Sequence, residues 1–212
     1  MIDKFVNWQY KDFTKQNESN WLDDPYLKNI WDGTTGPSNS PDPVECFVLY
    51  NLAKNTQGNC LEIGSWKGRS SCFISKGISD SLPTTNNRKL YCIDWFMGDN
   101  TGGVNPDKNE MIQSLTKFNL LSLVEIIDED MLKIDYNRFA NIDLVFYDSD
   151  HNTVPTVLTL SKIHSVLNSN ACVVMHDASW DSTKDAISQL SQYYHHLITL
   201  PVWEGLAILR KK

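Results

Sequence analysis

The chain has 212 residues with 41% hydrophobic content, which is enough for one domain with a sizeable core. Its formal net charge of −7 argues against nucleic acid or an anionic membrane surface as the main partner. Its apolar runs are no longer than strands, its start has no signal-peptide pattern, and its five cysteines include no Cys-x-x-Cys pair. The sequence therefore predicts a cytoplasmic protein that neither spans a membrane nor depends on disulfides.

Residues 1–43 differ from the rest of the chain because their aromatic residues follow no regular period and end in a loop rich in Gly and Pro. These aromatic residues are Trp8, Tyr10, Phe13, Trp21, Tyr26 and Trp31. Two roles are open for this N-terminal extension. It packs its aromatic side chains onto the domain, or it forms a lid over a cofactor or acceptor. Residues 44–212 are predicted to form a single domain.

The stretch from Cys60 to Ser71 predicts a small-molecule cradle. An apolar run containing Glu62 ends at Gly64, and Gly68 follows just before a helical pattern begins. Glycine permits a positive φ and a close approach of a ligand to the backbone. The free N–H groups of the helix that follows suit a carboxylate or a phosphate.

Strand and helix patterns alternate through the rest of the chain. Strands are predicted at Lys89–Ile93, Val124–Ile127, Ile142–Tyr147, Ala171–Met175, Leu197–Leu200 and Leu206–Leu209. Helices are predicted at Pro43–Lys54, Asn105–Phe118, Thr153–Leu167 and Ser182–Tyr194. This alternation indicates a parallel sheet with helices on both faces, and the two closing strands are close enough in sequence to be antiparallel neighbours.

The apolar run from Cys60 to Ile63 predicts the first strand, and acidic residues lie at or just beyond the ends of the first five predicted strands. They are Glu62, Asp94, Asp130, Asp148 with Asp150, and Asp177 after His176. In open α/β sheets, ligands bind outside the carboxyl ends of the strands. A single acid there is also a common helix N-cap, but acids at all five strand ends favour a shared site.

Four pieces of the sequence match one family as a set. They are Leu61-Glu62-Ile63-Gly64-Ser65-Trp66-Lys67-Gly68-Arg69-Ser70, Ile93-Asp94-Trp95, Val145-Phe146-Tyr147-Asp148-Ser149-Asp150-His151 and Val174-Met175-His176-Asp177. The chain resembles class I S-adenosylmethionine-dependent methyltransferases, most of all small bacterial O-methyltransferases of the macrocin or antibiotic-sugar type. The resemblance implies a doubly wound, mostly parallel seven-stranded sheet of the Rossmann-like methyltransferase type, with the last strand antiparallel. It also implies methyl transfer by in-line displacement to a hydroxyl of a saccharide or small metabolite.

The resemblance also implies a set of cofactor-binding residues. These are Glu62, Gly64, Ser65, Trp66, Gly68, Ser70, Ser71, Asp94, Trp95, Asp130, Met131 and Asp148. In the family, the glycine turn surrounds the methionine part of the cofactor, and an acid in the place of Asp94 accepts both ribose hydroxyls. Trp95 packs on adenine or fills the core. Asp130 reaches the adenine amino group or belongs to a solvated acidic loop.

Removing a proton from a hydroxyl acceptor requires a base or a metal ion. The resemblance assigns Asp150 as the base, with His151 as the substitute, although His151 also fits a residue beside a helix start. Asp148 and Asp177 could hold Mg²⁺, but metal-dependent relatives carry a second Asp or Asn beside the latter acid, whereas His176 and Ala178 stand here. His176 is then a further candidate for the base or for a substrate contact.

Three other histidines have structural explanations. His164 lies on the apolar face of its predicted helix, and His195 and His196 are predicted to close a helix, where their charge suits the helix dipole.

Two other functions remain open from the sequence. Asp148-Ser149-Asp150 resembles the Asp-x-Asp of metal-dependent glycosyltransferases, and a non-catalytic cofactor-binding module would keep the fold without the chemistry. The N-terminal extension and the loop from Met97 to Asn105 are expected to shape the pocket for a small-molecule or saccharide acceptor. The sequence carries no signal of the oligomeric state.

Overall fold

A computed structural model describes residues 24–36, 43–81, 87–98, 105–202 and 204–212 of the chain. These residues form six α-helices and seven β-strands. The helices are α1 (Pro25–Gly33), α2 (Val44–Asn55), α3 (Arg69–Ser79), α4 (Lys108–Lys117), α5 (Thr153–His164) and α6 (Asp181–Gln189). The strands are β1 (Asn59–Ile63), β2 (Leu90–Asp94), β3 (Val124–Asp128), β4 (Ile142–Tyr147), β5 (Leu167–Met175), β6 (Tyr194–Leu200) and β7 (Leu206–Lys211). Short 3-10 turns occur at Leu121–Leu123, Tyr136–Arg138 and Leu190–Gln192.

The seven strands form one sheet in the order β3-β2-β1-β4-β5-β7-β6. Strands β1 to β5 pair in parallel, and β7 is antiparallel to both β5 and β6. The predicted fold class, with its antiparallel last strand, is therefore confirmed. Strands β2 and β3 lie on one side of β1, and β4 lies on the other side, so the strand order reverses between β1 and β4. Open α/β sheets bind ligands at such a switch point.

The sheet is buried on both faces, which explains why its central strands are almost continuously apolar. On one face, Phe146 packs in a buried cluster with Leu49 of α2 and Phe73 of α3. On the other face, Val145 belongs to a cluster that includes Leu160 of α5. The two buried layers fix the sheet and hold the carboxyl ends of its strands in place.

Two predicted helices are wrong at their carboxyl ends. Helix α5 stops at His164 because β5 already begins at Leu167 and pairs with β4. Helix α6 stops at Gln189, and His195 and His196 lie in strand β6, so they do not interact with a helix dipole as predicted. Pairing of β6 with β7 overrides the local helical pattern there.

Helix α1 is the described part of the predicted N-terminal extension. The side chain of Asp24 caps it, and Leu27 and Ile30 are buried in the core. The Arg69 guanidinium lies 4.0 Å from the centroid of the Trp31 ring. The predicted aromatic residues at positions 8, 10, 13 and 21 lie outside the described residues, as does most of the loop after Met97. The division at residue 43 and the lid remain predictions.

No helix in the described part of the chain combines the length and apolar character needed to cross a membrane.

Candidate active site

The parallel register places the ends of four strands along one edge of the sheet. Ile63 in β1 is opposite Ile93 in β2 and Tyr147 in β4, and Tyr147 is opposite Met175 in β5. The residues that follow these strands therefore meet at one edge. This edge contains the glycine turn and most of the acids that the sequence predicts for the site.

The turn after β1 requires glycine at two positions, because the backbone has a positive φ there and leaves no room for a Cβ atom. Gly64 has a φ of 89°, and a Cβ atom there would lie 1.9 Å from the carbonyl oxygen of Asp148. Gly68 has a φ of 85°, and its Cβ would lie 2.7 Å from Cγ of Met111. Helix α3 starts directly after Gly68, and no side chain caps its first amides. These amides suit the carboxylate of an amino-acid-like ligand.

Glu62 is completely buried next to the glycine turn and bonds to side chains on either side of Gly68. Its Oε2 atom accepts hydrogen bonds from Ser65 Oγ at 2.9 Å, from Ser71 Oγ and from Cys92 Sγ at 3.2 Å. Burial raises the pKa of Glu62, and the hydroxyls around it limit that rise. The hydroxyls of Ser65 and Ser71 therefore donate to Glu62. Their predicted contribution to cofactor binding would be indirect, by fixing the conformation of the turn.

Asp94 ends β2 beside this turn. Its Oδ2 atom accepts the backbone N–H of Trp66 at 2.8 Å, and its Oδ1 atom accepts that of Phe96 at 2.7 Å. Burial raises the pKa of Asp94 more than these two backbone hydrogen bonds lower it. Each carboxylate oxygen keeps a second lone pair, so the partly exposed group can still accept hydroxyl donors. Trp95 is 50% exposed, which excludes the alternative that it fills the core.

Asp130 and Met131 have local partners. Asp130 accepts the backbone N–H of Leu132 at 2.9 Å and pairs with Lys133 Nζ at 3.2 Å. The Leu132 hydrogen bond and the nearby Lys133 charge lower the pKa of Asp130. The backbone carbonyl of Met131 accepts a hydrogen bond from the Tyr136 hydroxyl. These contacts fit the solvated-loop alternative, and a contact with adenine remains a prediction.

His176 lies between three carboxylates at the end of β5. Its Nδ1 atom lies 3.0 Å from Asp177 Oδ2 and 3.3 Å from Asp148 Oδ1, and its Nε2 atom lies 3.1 Å from Glu45 Oε2. Burial would lower the pKa of His176, but the charge of Asp148 and the hydrogen bonds to all three acids raise it far above its ordinary value. A ring that stays protonated cannot serve as the base, so this environment disfavours the base role predicted for His176.

His151 forms a pair with Asp177. The Nε2 atom of His151 lies 2.8 Å from Asp177 Oδ2, and the Asp177 side chain is only 7% exposed. Burial would raise the pKa of Asp177, but hydrogen bonds from His151 and His176 lower it to about 2. The other side of the His151 ring faces Trp180, with ring centroids 4.9 Å apart. Asp177 thus orients the imidazole of His151 at the rim of the site.

Asp150 points into the start of helix α5. Its Oδ1 atom accepts hydrogen bonds from both the backbone N and the Nδ2 of Asn152, each at 2.8 Å. Its backbone carbonyl accepts hydrogen bonds from the hydroxyls of Tyr147 and Thr156. These contacts give Asp150 a structural role, and its predicted role as the base is untested.

Three residues approach the geometry of a metal site. One ligand atom each from Asp148, His151 and Asp177 lie within 4.8 Å of one another. Mg²⁺ prefers several hard oxygen ligands, and here only two carboxylates are joined by an imidazole. His176 Nδ1 also contacts an oxygen of each of these two carboxylates. The donor set does not fit the Mg²⁺ that the resemblance implies.

Two residues of the site escaped the sequence analysis. Glu45 lies in the first turn of α2, and Glu204 accepts the indole N–H of Trp180 at 2.8 Å. Both acids lie far in sequence from the residues they contact. An acid in the first turn of a helix, such as Glu45, is ordinarily explained by the helix dipole, and Glu204 lies in the connection between β6 and β7, so the sequence offered no signal for either contact.

The strand order β3-β2-β1-β4-β5-β7-β6 with an antiparallel β7 is that of the class I methyltransferase fold. The methyltransferase-domain family matches residues 61–178, which is more than half of the chain. The chain therefore belongs to the methyltransferase-domain family. A comparison with curated proteins finds no significant match. This match favours a methyltransferase over the metal-dependent glycosyltransferase that the sequence left open.

Solved structures share the fold at low sequence identity. A methyltransferase of Podospora anserina, PaMTH1, solved with S-adenosylhomocysteine, is 13% identical with a TM-score of 0.67, covering 93% of this chain and 94% of that one. CalS11, a TDP-rhamnose 3'-O-methyltransferase of calicheamicin biosynthesis, is 17% identical with a TM-score of 0.63, covering 92% of both chains. The O-methyltransferase TomG of Streptomyces achromogenes, solved with S-adenosylmethionine, is 17% identical with a TM-score of 0.61, covering 89% and 90%.

Proposed function

We propose that the protein transfers a methyl group from S-adenosylmethionine to a hydroxyl of a small-molecule or saccharide acceptor. The observation that carries this proposal is the position of the His151–Asp177 pair, which lies on the same sheet edge as the Gly64–Gly68 cradle. The edge thus combines a place for the methyl donor with a candidate base for the acceptor. The similarity to CalS11 and TomG supports an oxygen acceptor.

The residues of the cradle fit the cofactor. The uncapped start of α3 would receive its carboxylate, and Asp94 would accept its ribose hydroxyls. Trp95, exposed directly after Asp94, would cover the adenine. The acids along this edge also suit a positively charged ligand, in keeping with the net charge of −7. Bound S-adenosylmethionine supplies a methyl group on a sulfonium, and in-line displacement breaks the carbon–sulfur bond as a carbon–oxygen bond forms.

His151 is the residue that would accept the proton of the acceptor hydroxyl. Because its Nε2 atom faces Asp177, the ring would donate there and take the proton on Nδ1. Asp177 would then stabilise the imidazolium that forms, as a buried carboxylate does beside a catalytic histidine. This assignment replaces Asp150, whose Oδ1 atom is engaged at the start of α5.

Calorimetric titration with S-adenosylmethionine tests the cofactor, and transfer of a labelled methyl group to a panel of acceptors tests the reaction. Micromolar binding, together with transfer to a sugar or small-molecule hydroxyl, is the expected result. Transfer to amines alone would contradict the hydroxyl acceptor. Binding without transfer to any acceptor would favour a non-catalytic binding module.

A further inference from the structure

Glu45 connects helix α2 to the candidate active site through His176. Its carboxylate lies 3.1 Å from one ring nitrogen of His176, while the other ring nitrogen contacts Asp148 and Asp177. The side chains of Glu45 and His176 are 15% and 9% exposed. Three acids from three separate elements therefore converge on one imidazole that has little contact with water.

Three carboxylates in a poorly hydrated site repel one another, so their negative charge must be compensated. A metal ion or hydrogen-bond donors can supply this compensation. In this site each ring nitrogen of His176 lies within 3.3 Å of a carboxylate oxygen, so a charged imidazole can offset the three acids. The contact with Glu45 favours a hydrogen on Nε2, and a hydrogen on Nδ1 would face the oxygens of the other two acids, which lie 3.0 and 3.3 Å away.

We infer that the Glu45–His176 pair takes the place of a divalent cation in this site and holds Asp148 and Asp177 without Mg²⁺. A bound ion would compete with Nδ1–H of His176 for the same carboxylate oxygens. The pair positions Asp177, and through Asp177 it positions His151. This positioning role rests on the proposed function, whereas the absence of metal binding does not.

The first test measures metal binding directly. Mn²⁺, followed by electron paramagnetic resonance, and Mg²⁺, followed by calorimetry, are added to the native protein and to His176→Asp. The native protein is expected to bind neither ion at millimolar concentration. His176→Asp removes the donor ring and adds a hard oxygen ligand, so it is expected to gain Mn²⁺ binding. Glu129→Gln, which alters an exposed ion pair with Arg138, is the control and should behave like the native protein.

Two outcomes of this test would overturn the inference. One is Mn²⁺ binding by the native protein that disappears in Asp148→Asn. The other is a folded His176→Asp variant that gains no binding. If that variant does not fold, the result for the native protein and the second test decide.

The second test reads the hydrogen bonds of the His176 ring. In ¹⁵N-labelled protein, His176 is expected to show two ring N–H signals, assigned by their loss in His176→Asn. Glu45→Gln should weaken or remove the Nε2–H signal, and Glu129→Gln should retain both. A single ring N–H signal in the native protein would overturn the inference. Neither test requires turnover, so failure of methyl transfer with these results intact would count only against the proposed function.

Discussion

His151 and Asp177 follow different strands, yet Nε2 of His151 lies 2.8 Å from Oδ2 of Asp177. Strands β4 and β5 are parallel neighbours with Tyr147 opposite Met175, so residues just beyond both strands meet. Asp177 has a φ of 53°, and Trp180 flanks the His151 ring. The arrangement joins a candidate base to a buried carboxylate that orients it.

Removal of the imidazole should impair the reaction more than it impairs binding. His151→Asn is expected to lower kcat by about 10² to 10⁴, the usual contribution of a general base. The affinity for S-adenosylmethionine should change little because the contacts of His151 with Asp177 and Trp180 lie outside the Gly64–Gly68 turn. Steady-state kinetics and calorimetry measure the two quantities. A kcat equal to that of the native protein would refute the assignment of His151.

The Asp150→Ala variant is the matched comparison for His151→Asn. Asp150→Ala removes the hydrogen-bond acceptor for Asn152 just before α5, and this should lower the free energy of unfolding by about 1 kcal/mol. Urea unfolding measures that loss. Turnover should remain near native, since His151 is the proposed base. A larger loss of kcat in Asp150→Ala than in His151→Asn would restore the carboxylate as the base.

Asp94 should contribute to cofactor affinity. A hydrogen bond to a charged acceptor contributes about 1.5–3 kcal/mol, so Asp94→Ala is expected to raise the dissociation constant for S-adenosylmethionine by roughly 10- to 100-fold. Calorimetric titration measures the change. Asp128→Ala is the control because Asp128 pairs with Asp94 in the strand register but is exposed and bonded to Lys108. Equal losses in both variants would contradict a specific ribose contact.

Gly64 should tolerate no side chain. Gly64→Ala is expected to destabilise the fold by more than the 1–2 kcal/mol that a left-handed backbone costs other residues, because its Cβ would overlap the carbonyl of Asp148. Thermal unfolding and binding of S-adenosylmethionine should both weaken. Ser79→Ala, at the exposed end of α3, is the control. Native stability in Gly64→Ala would show that the turn can move away from Asp148.

The low pKa of Asp177 predicts how stability depends on pH. Because the folded state lowers this pKa from 3.8 to about 2, the charged form contributes stability above pH 4, and that contribution is lost as the pH falls toward 2. The shift corresponds to about 2 kcal/mol. Asp177→Asn should therefore be less stable than the native protein at pH 5 and approach it near pH 2. Urea unfolding across this range measures the difference, and a constant difference would contradict the prediction.

Local sequence patterns alone predicted the parts of this protein whose causes are local. The apolar run at Ile142–Tyr147 is a strand with those bounds, and Gly64 and Gly68 adopt the positive φ expected of a tight turn. Alternation of strands and helices was sufficient to predict a parallel sheet with acids gathered along one edge. These features depend on residue type and spacing within short segments.

The tertiary structure decided what depends on residues far apart in the chain. Strand β6 includes His195 because β7 pairs with it, although the local pattern is helical. Glu45 reaches His176 only because α2 packs over the sheet. A hydrogen bond between such distant residues leaves no periodic trace in the sequence. The distinction between His151 and Asp150 also depends on tertiary structure. The register of β4 and β5 brings Asp177 to His151, whereas Asp150 bonds to Asn152 at the start of α5.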